Sequence, residues 1–153
     1  MSAPVADGVL VERHVLDFPG GYTRSVGPAI GRFLTSVRDD AQLLGVRLAD
    51  GRVLVPPVEY DPSTSAATGD DFVPVGPGGE VTTWTWVARP RPEHPLDHPF
   101  AFALIRLDGA DTSLLHAVDA GKASAMRSGM RVIARFADER RGHIGDLWFE
   151  PHE

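Results

Sequence analysis

A mainly β protein is the fold class this sequence predicts: an N-terminal helix, a turn-rich ribbon-like segment and then a five-stranded barrel. Three observations predict it. An apolar stripe at helical spacing runs from Val26 to Leu44. The stretch VRLADGRVLVPPVEYDPST at 46–64 has turns at Asp50-Gly51 and Asp61-Pro62 on either side of a Val-rich strand. From residue 78 onward, five β-rich runs follow one another, with one Ala-rich segment between the third and the fourth.

Residues 1–21 mix Ala, Gly, Asp and Pro and read as a flexible leader. Residues 22–45 form the helix, because Val26, Ile30, Phe33, Leu34, Val37, Ala41 and Leu44 recur in steps of three and four; Gly27 and Gly31 weaken its first turns. So broad a stripe has to be covered, and the segment that follows is short. Phe33 and Leu34, near the middle of the stripe, are therefore expected to dock on a partner chain. Residues 46–77 make the ribbon-like segment, which has the punctuation of a metal-binding knuckle but no usual metal ligand.

The remaining residues, 78–153, make the barrel. In GGEVTTWTWV (78–87) every residue from 81 to 87 is β-branched or aromatic, and strict alternation sets Val81, Thr83, Thr85 and Val87 against Thr82, Trp84 and Trp86. FAFALIRLD (100–108), SLLHAV (113–118), MRVIARFAD (130–138) and HIGDLWFEP (143–151) supply the other strands. DAGKASAMRSG (119–129) suits one or two helical turns ending at Gly129. Three strands, a short helix and two strands is the order of the Greek-key barrel called the OB-fold. The long connection at 89–99, which carries His94 and His98, is expected to project from the barrel and make contacts.

Composition narrows the function. With 42% apolar and 24% charged residues the chain can build an ordinary core. Its 21 acidic residues outnumber 15 basic ones, for a net charge of -6, which argues against a nucleic-acid surface. The absence of cysteine removes disulfides, thiolate metal ligands and a cysteine nucleophile together. No stretch approaches the roughly 20 apolar residues of a membrane span, and no basic-then-apolar leader opens the chain, so a cytoplasmic location is expected. No serine sits in a nucleophile elbow, His116 and His143 fall in or beside strands, and Asp108, Asp111 and Asp119 fall at strand ends where turns need acceptors. No catalytic residue and no metal are expected. An OB-fold module binding a ligand or single-stranded nucleic acid through Trp84 and Trp86 is the alternative reading.

GRVLVPP (51–57), GGEVTTWTWV (78–87), HPFAFALIRLDG (98–109), SGMRVIARF (128–136) and DLWFEP (146–151), in this order, make the chain resemble the DUF35 family across residues 33–151. The resemblance implies a helix, a rubredoxin-like zinc ribbon and an OB-fold. Its two Cys-x-x-Cys pairs fall on Arg47, Asp50, Asp61 and Thr64, none of them cysteine. The implied ribbon has thus kept its scaffold and lost its metal; it is held by Val53, Val55, Val58 and the Pro56-Pro57 pair, with Arg47 pairing to Asp50 or Asp61. The family resemblance further implies a non-catalytic accessory subunit of a thiolase-like aldolase of the sterol-carrier-protein-x type. Such a complex would be a heterotetramer, two plus two, cleaving the side chain of a steroid acyl-CoA by retro-aldol chemistry. An acetyl-CoA acetyltransferase is the other partner it implies. In either case a CoA thioester is the substrate of the complex and this chain holds no cofactor of its own. Arg131, Arg135, Arg140 and Arg141 are the candidates for CoA contact, since guanidinium forks suit phosphates. Trp84, Trp86 and His98 join Phe33 and Leu34 as interface candidates.

Overall fold

A computed structural model describes residues 25–153 of the chain. The segment expected as a leader, 1–21, lies outside them. Helix α1 spans Gly27–Asp40, with Pro28 in its first turn, where a missing N–H costs nothing. Ala29, Phe33, Ser36 and Val37 form its buried face. It ends earlier than the 22–45 expectation. Ala41 adopts a left-handed backbone (φ 51°) and returns its N–H to the Ser36 carbonyl, and Leu44 belongs to the next strand.

That strand, β1 (Leu43–Arg47), is the centre of a small antiparallel sheet with β2 (Val53–Leu54) on one side and β3 (Phe72–Val75) on the other. The turn between β1 and β2 needs Gly51, which sits at φ 90°. β2 is fastened to a turn far along the chain. Asp111 accepts the Val53 N–H at 2.7 Å and returns its own N–H to the Val53 carbonyl at 2.9 Å, while the Thr112 hydroxyl serves both the N–H and the carbonyl of Val55. Asp111 is thus the turn acceptor the sequence suggests, but the amide it satisfies belongs to the ribbon.

β4 (Gly78–Val87), β5 (Phe100–Leu107), β6 (Ser113–Val118), β7 (Arg131–Phe136) and β8 (Leu147–Pro151) close a barrel in the order β4-β5-β6-β8-β7. That is the OB-fold order, with a single 3-10 turn at Ala123–Ala125 between the third and fourth strands. Where β4 enters, a Cβ on Gly79 would lie 2.8 Å from Ile105 Cγ2 and 2.9 Å from the Arg106 carbonyl, so only glycine lets the strands approach there. Ala101, Ala103, Ile105 and Leu107 of β5 line the interior. The barrel core is continuous with Phe33 and Val37 of α1 and with Val53 and Val55 of the ribbon.

A β-bulge corrects the expected faces of β4. The register shifts between Val81 and Thr83, so Val81 pairs with Ile105, Trp84 with Ala103 and Trp86 with Ala101. Val81 and both tryptophans therefore share the inner face, and the small Ala101 and Ala103 leave room for the indoles.

A groove on the barrel and a ribbon without its metal

Two segments far apart in sequence build a groove of about 1010 Å³. One wall is residues 92–95 of the β4–β5 loop, the other is the β7–β8 turn at 139–146, and Phe102, Leu115 and His116 form the floor. Phe100 and Phe102 lie on the outer face of β5, opposite the barrel core. The loop folds back over them: the His94 ring stands edge-on to both at 5.7 Å, and the two phenyl rings meet at 4.9 Å. Within the loop, His94 Nδ1 accepts the Arg91 N–H at 3.1 Å.

The opposite wall is organised around Asp146, which is 8% exposed. Its Oδ2 accepts the N–H groups of Arg141, Gly142 and His143 at 2.8, 2.8 and 2.9 Å. Burial pushes its pKa up, but these three amides outweigh that and hold the carboxyl below its usual range. Arg140 ties the turn to the end of α1 by donating to the carbonyls of Arg38 and Ala137, both at 3.0 Å. Beneath, β6 and β8 run parallel but pair only at Val118 and Phe149. His116 closes the rest of the seam by donating from Nε2 to the Ile144 carbonyl at 3.1 Å. Burial pushes its pKa down to about 4, the pull of the Ile144 and Leu147 backbone in the other direction notwithstanding. Inside the groove Leu115 is 61% and Ile144 41% exposed, and Leu104, across the strand pair from Leu115, is 38% exposed. These form an apolar surface of the kind that marks a contact.

The structure separates the expected site residues. Arg131 forms a two-pronged pair with Asp108, and Arg135 pairs with Glu150 at 2.9 Å. Arg140 is spent on backbone carbonyls. Among the four, only Arg141 lines the groove. Phe33 is 1% exposed inside the chain's own core, which corrects the expectation that it docks on a partner, and Leu34 is half-buried against that core. Trp84 and Trp86 are half-buried at the barrel mouth, where, past Val81, β4 has no second strand partner among the described residues. What sequence reading missed is the groove itself, whose only sequence signal was the length of the 89–99 loop.

His98 does not share a site with His94. It lies between two carboxylates, Nδ1 donating to Asp97 at 3.0 Å and Nε2 to Asp119 at 2.9 Å, and so latches the base of the loop to the chain after β6. Bonding first to Asp97 and then to Asp119 raises its pKa above the usual 6.5. A raised folded-state pKa gives stability that is fully present below 6.5 and is lost as the pH rises through the folded value. Because the ring is about half exposed, the worth is that of a surface pair. His98→Ala should cost up to about 1 kcal/mol near pH 6 in low salt, fading as the pH climbs and as salt is added. An equal cost of His98→Ala at about pH 6 and pH 9 in urea melts would show that the latch does not depend on charge.

The zinc that the DUF35 resemblance implies does not fit this ribbon. Arg47 points to Asp71 at 3.7 Å, not to either knuckle aspartate. Asp50 and Asp61 share the guanidinium of Arg52 instead, and the Thr64 hydroxyl donates to Asp61 at 3.1 Å. A metal between the two turns would have to displace a cation already bonded to both. Among the described residues no cluster of three or more His, Asp or Glu side chains is arranged to hold a metal.

A family profile described as the C-terminal OB-fold domain of ChsH2 matches residues 72–137, from β3 through β7. The match covers less than half of the chain, and in that part the barrel is similar to the ChsH2 OB-fold domain. Two solved structures share the architecture of this chain. One is a DUF35-family protein of unknown function from Sulfolobus solfataricus, with TM-score 0.61 at 19% identity, covering 83% of this chain and 85% of that one. The other is a chain of the Ltp2-ChsH2(DUF35) aldolase, with TM-score 0.60 at 19% identity, covering 84% of this chain and 98% of that one. At such identity these likenesses speak for the fold. A search of curated proteins gives no significant match. No helix among the described residues is long and apolar enough to cross a membrane.

Proposed function

We propose that this chain is the non-catalytic accessory subunit of a thiolase-fold aldolase that cleaves an acyl-CoA thioester by retro-aldol chemistry, with a steroid side chain as the substrate of first choice. It supports assembly and the substrate channel, in a complex of two plus two subunits. The observation that carries the reading is the groove on a barrel similar to the ChsH2 OB-fold domain, with Leu115 and Ile144 left exposed between its two walls. Four of its titratable groups are already committed: Asp146 is filled by three amides, His116 donates to a carbonyl, and His94 and His143 each accept a backbone N–H at Nδ1. Groups held in this way suit a surface that positions and covers a partner. Of the four arginines expected to contact CoA, Arg141 is the one that lines the groove, and it is the proposed contact for a CoA phosphate. The nucleic-acid alternative draws less support, since Trp84 and Trp86 are interleaved with Thr83 and Thr85 and not with cations.

Co-expression with a thiolase-fold aldolase tests this. The chain alone should turn over no aldol-type CoA thioester, and the aldolase alone should be slower by roughly a hundredfold or more, because a displacement of about 1 Å in a reacting constellation costs that much. Leu115→Asp and Ile144→Asp should abolish co-elution while leaving the melt of the free chain nearly unchanged. Full turnover by the aldolase alone would defeat the proposal, and activation of an acetyltransferase but not an aldolase would transfer the role to that partner.

A further inference from the structure

We propose that the guanidinium of Arg52 takes the place of the metal in this ribbon, joining its two turns as an internal cation. A knuckle ribbon needs each turn held in shape and the two turns drawn together, and thiolates around zinc do both at once. In this chain the same tasks are divided among a few side chains.

The first turn is shaped by Asp50, whose Oδ1 accepts the Arg52 N–H at 3.0 Å, and by the Leu48 N–H donating to the Arg52 carbonyl at 2.8 Å. The second turn is shaped by Asp61, whose Oδ1 accepts both the N–H and the hydroxyl of Ser63, at 2.9 and 2.7 Å, and whose carbonyl accepts the Ser65 N–H at 2.8 Å. Arg52 then joins them. Its Nε donates to Asp50 Oδ2 at 2.7 Å, and its Nη2 donates to Asp61 Oδ2 at 2.9 Å and Ser63 Oγ at 3.3 Å.

This bridge differs from an ordinary surface pair in two ways. Asp61 is only 7% exposed, so a carboxylate left without its cation there would be costly. The geometry also needs a fork, since one side chain must present separate N–H groups to two carboxylates on different turns, which an ammonium on a flexible stem does poorly. The Ser63 hydroxyl and amide, with help from Thr64 and Arg52, hold the Asp61 carboxyl down at about 2, so the bridge stays ionised at any ordinary pH. The ribbon is then closed without metal, and its closure answers to salt where a metal knuckle would answer to chelator.

Amide hydrogen exchange in the full chain is the test, and it does not depend on the partner assigned above. In the wild type, the Ser63 and Ser65 amides should exchange at the same rate with and without chelator. Arg52→Met should speed both by about tenfold, the effect of removing a hydrogen bond to a charged group, while the β5 amides stay unchanged. Arg52→Lys, which keeps the charge and loses the fork, should open the same amides to a smaller degree and remains informative if Arg52→Met loosens the whole chain. Tight stoichiometric zinc in purified protein, chelator-accelerated exchange at Ser63 and Ser65, or Arg52→Lys exchanging like the wild type would each overturn the inference.

Discussion

Phe33→Ala lowers the stability of the free chain by about 3–5 kcal/mol, the cost of removing a fully buried phenyl ring from a core that cannot collapse around the gap. The ring is 1% exposed and belongs to the same cluster as Val53 of the ribbon and Val81 and Phe149 of the barrel, so its loss is felt in three places at once. The helix stripe is broad because α1 has two internal neighbours. It packs on the ribbon sheet, and the β7–β8 turn lies in ordinary contact with its middle, where a Cβ on Gly142 would be 3.5 Å from the Leu34 carbonyl. Leu34→Ala, at a half-buried position, should cost clearly less. Urea melts of the two variants decide the point. A Phe33→Ala chain within about 1 kcal/mol of wild type, yet unable to bind its partner, would return the helix to the interface.

The elements that were legible in the sequence are those with a strong period and clear punctuation. All five barrel strands fall within the runs of β-branched and aromatic residues that predict them, and the barrel order follows from the position of one Ala-rich segment. The end of α1 was not legible, because Ala41 and Gln42 carry no stop signal, although Ala41 turns left-handed there and β1 follows directly. FVPV at 72–75 hides as a strand behind Pro74. The bulge after Val81 is invisible because Val, Thr and Trp suit either face of a strand equally well, yet it decides where both tryptophans point. Absence of the zinc ligands was plain from four residue identities, whereas the residue replacing them was not. Arg47 sits on a strand that carries its side chain toward Asp71, and Arg52, two residues past Asp50, lies where the two turns meet. The two walls of the groove are more than forty residues apart, so no local pattern announces it.

The second large effect is a loss of stability in acid through His116. With its pKa at about 4 in the folded chain against 6.5 when unfolded, the folded state refuses a proton that the unfolded state accepts. The sign follows directly: above 6.5 both states are neutral and the residue is silent, while each pH unit below it removes about 1.4 kcal/mol until the folded imidazole itself titrates. The whole interval amounts to about 3 kcal/mol, a large fraction of the stability of a chain this size. His98 works in the opposite direction, gaining its charge in acid between Asp97 and Asp119, but its exposure keeps its share small. The His116 effect can be isolated with His116→Asn, which keeps an N–H for the Ile144 carbonyl and cannot be charged. Between pH 7 and pH 4 the wild type should lose about 3 kcal/mol relative to this variant in urea melts, with the His116 ring still neutral at pH 5 by NMR. A ring titrating near 6.5, with a flat difference between the two proteins, would mean that water reaches the β6–β8 seam. The floor of the groove would then be a wet, yielding surface, and the case for a preformed wall against which a partner subunit closes would lose its physical basis.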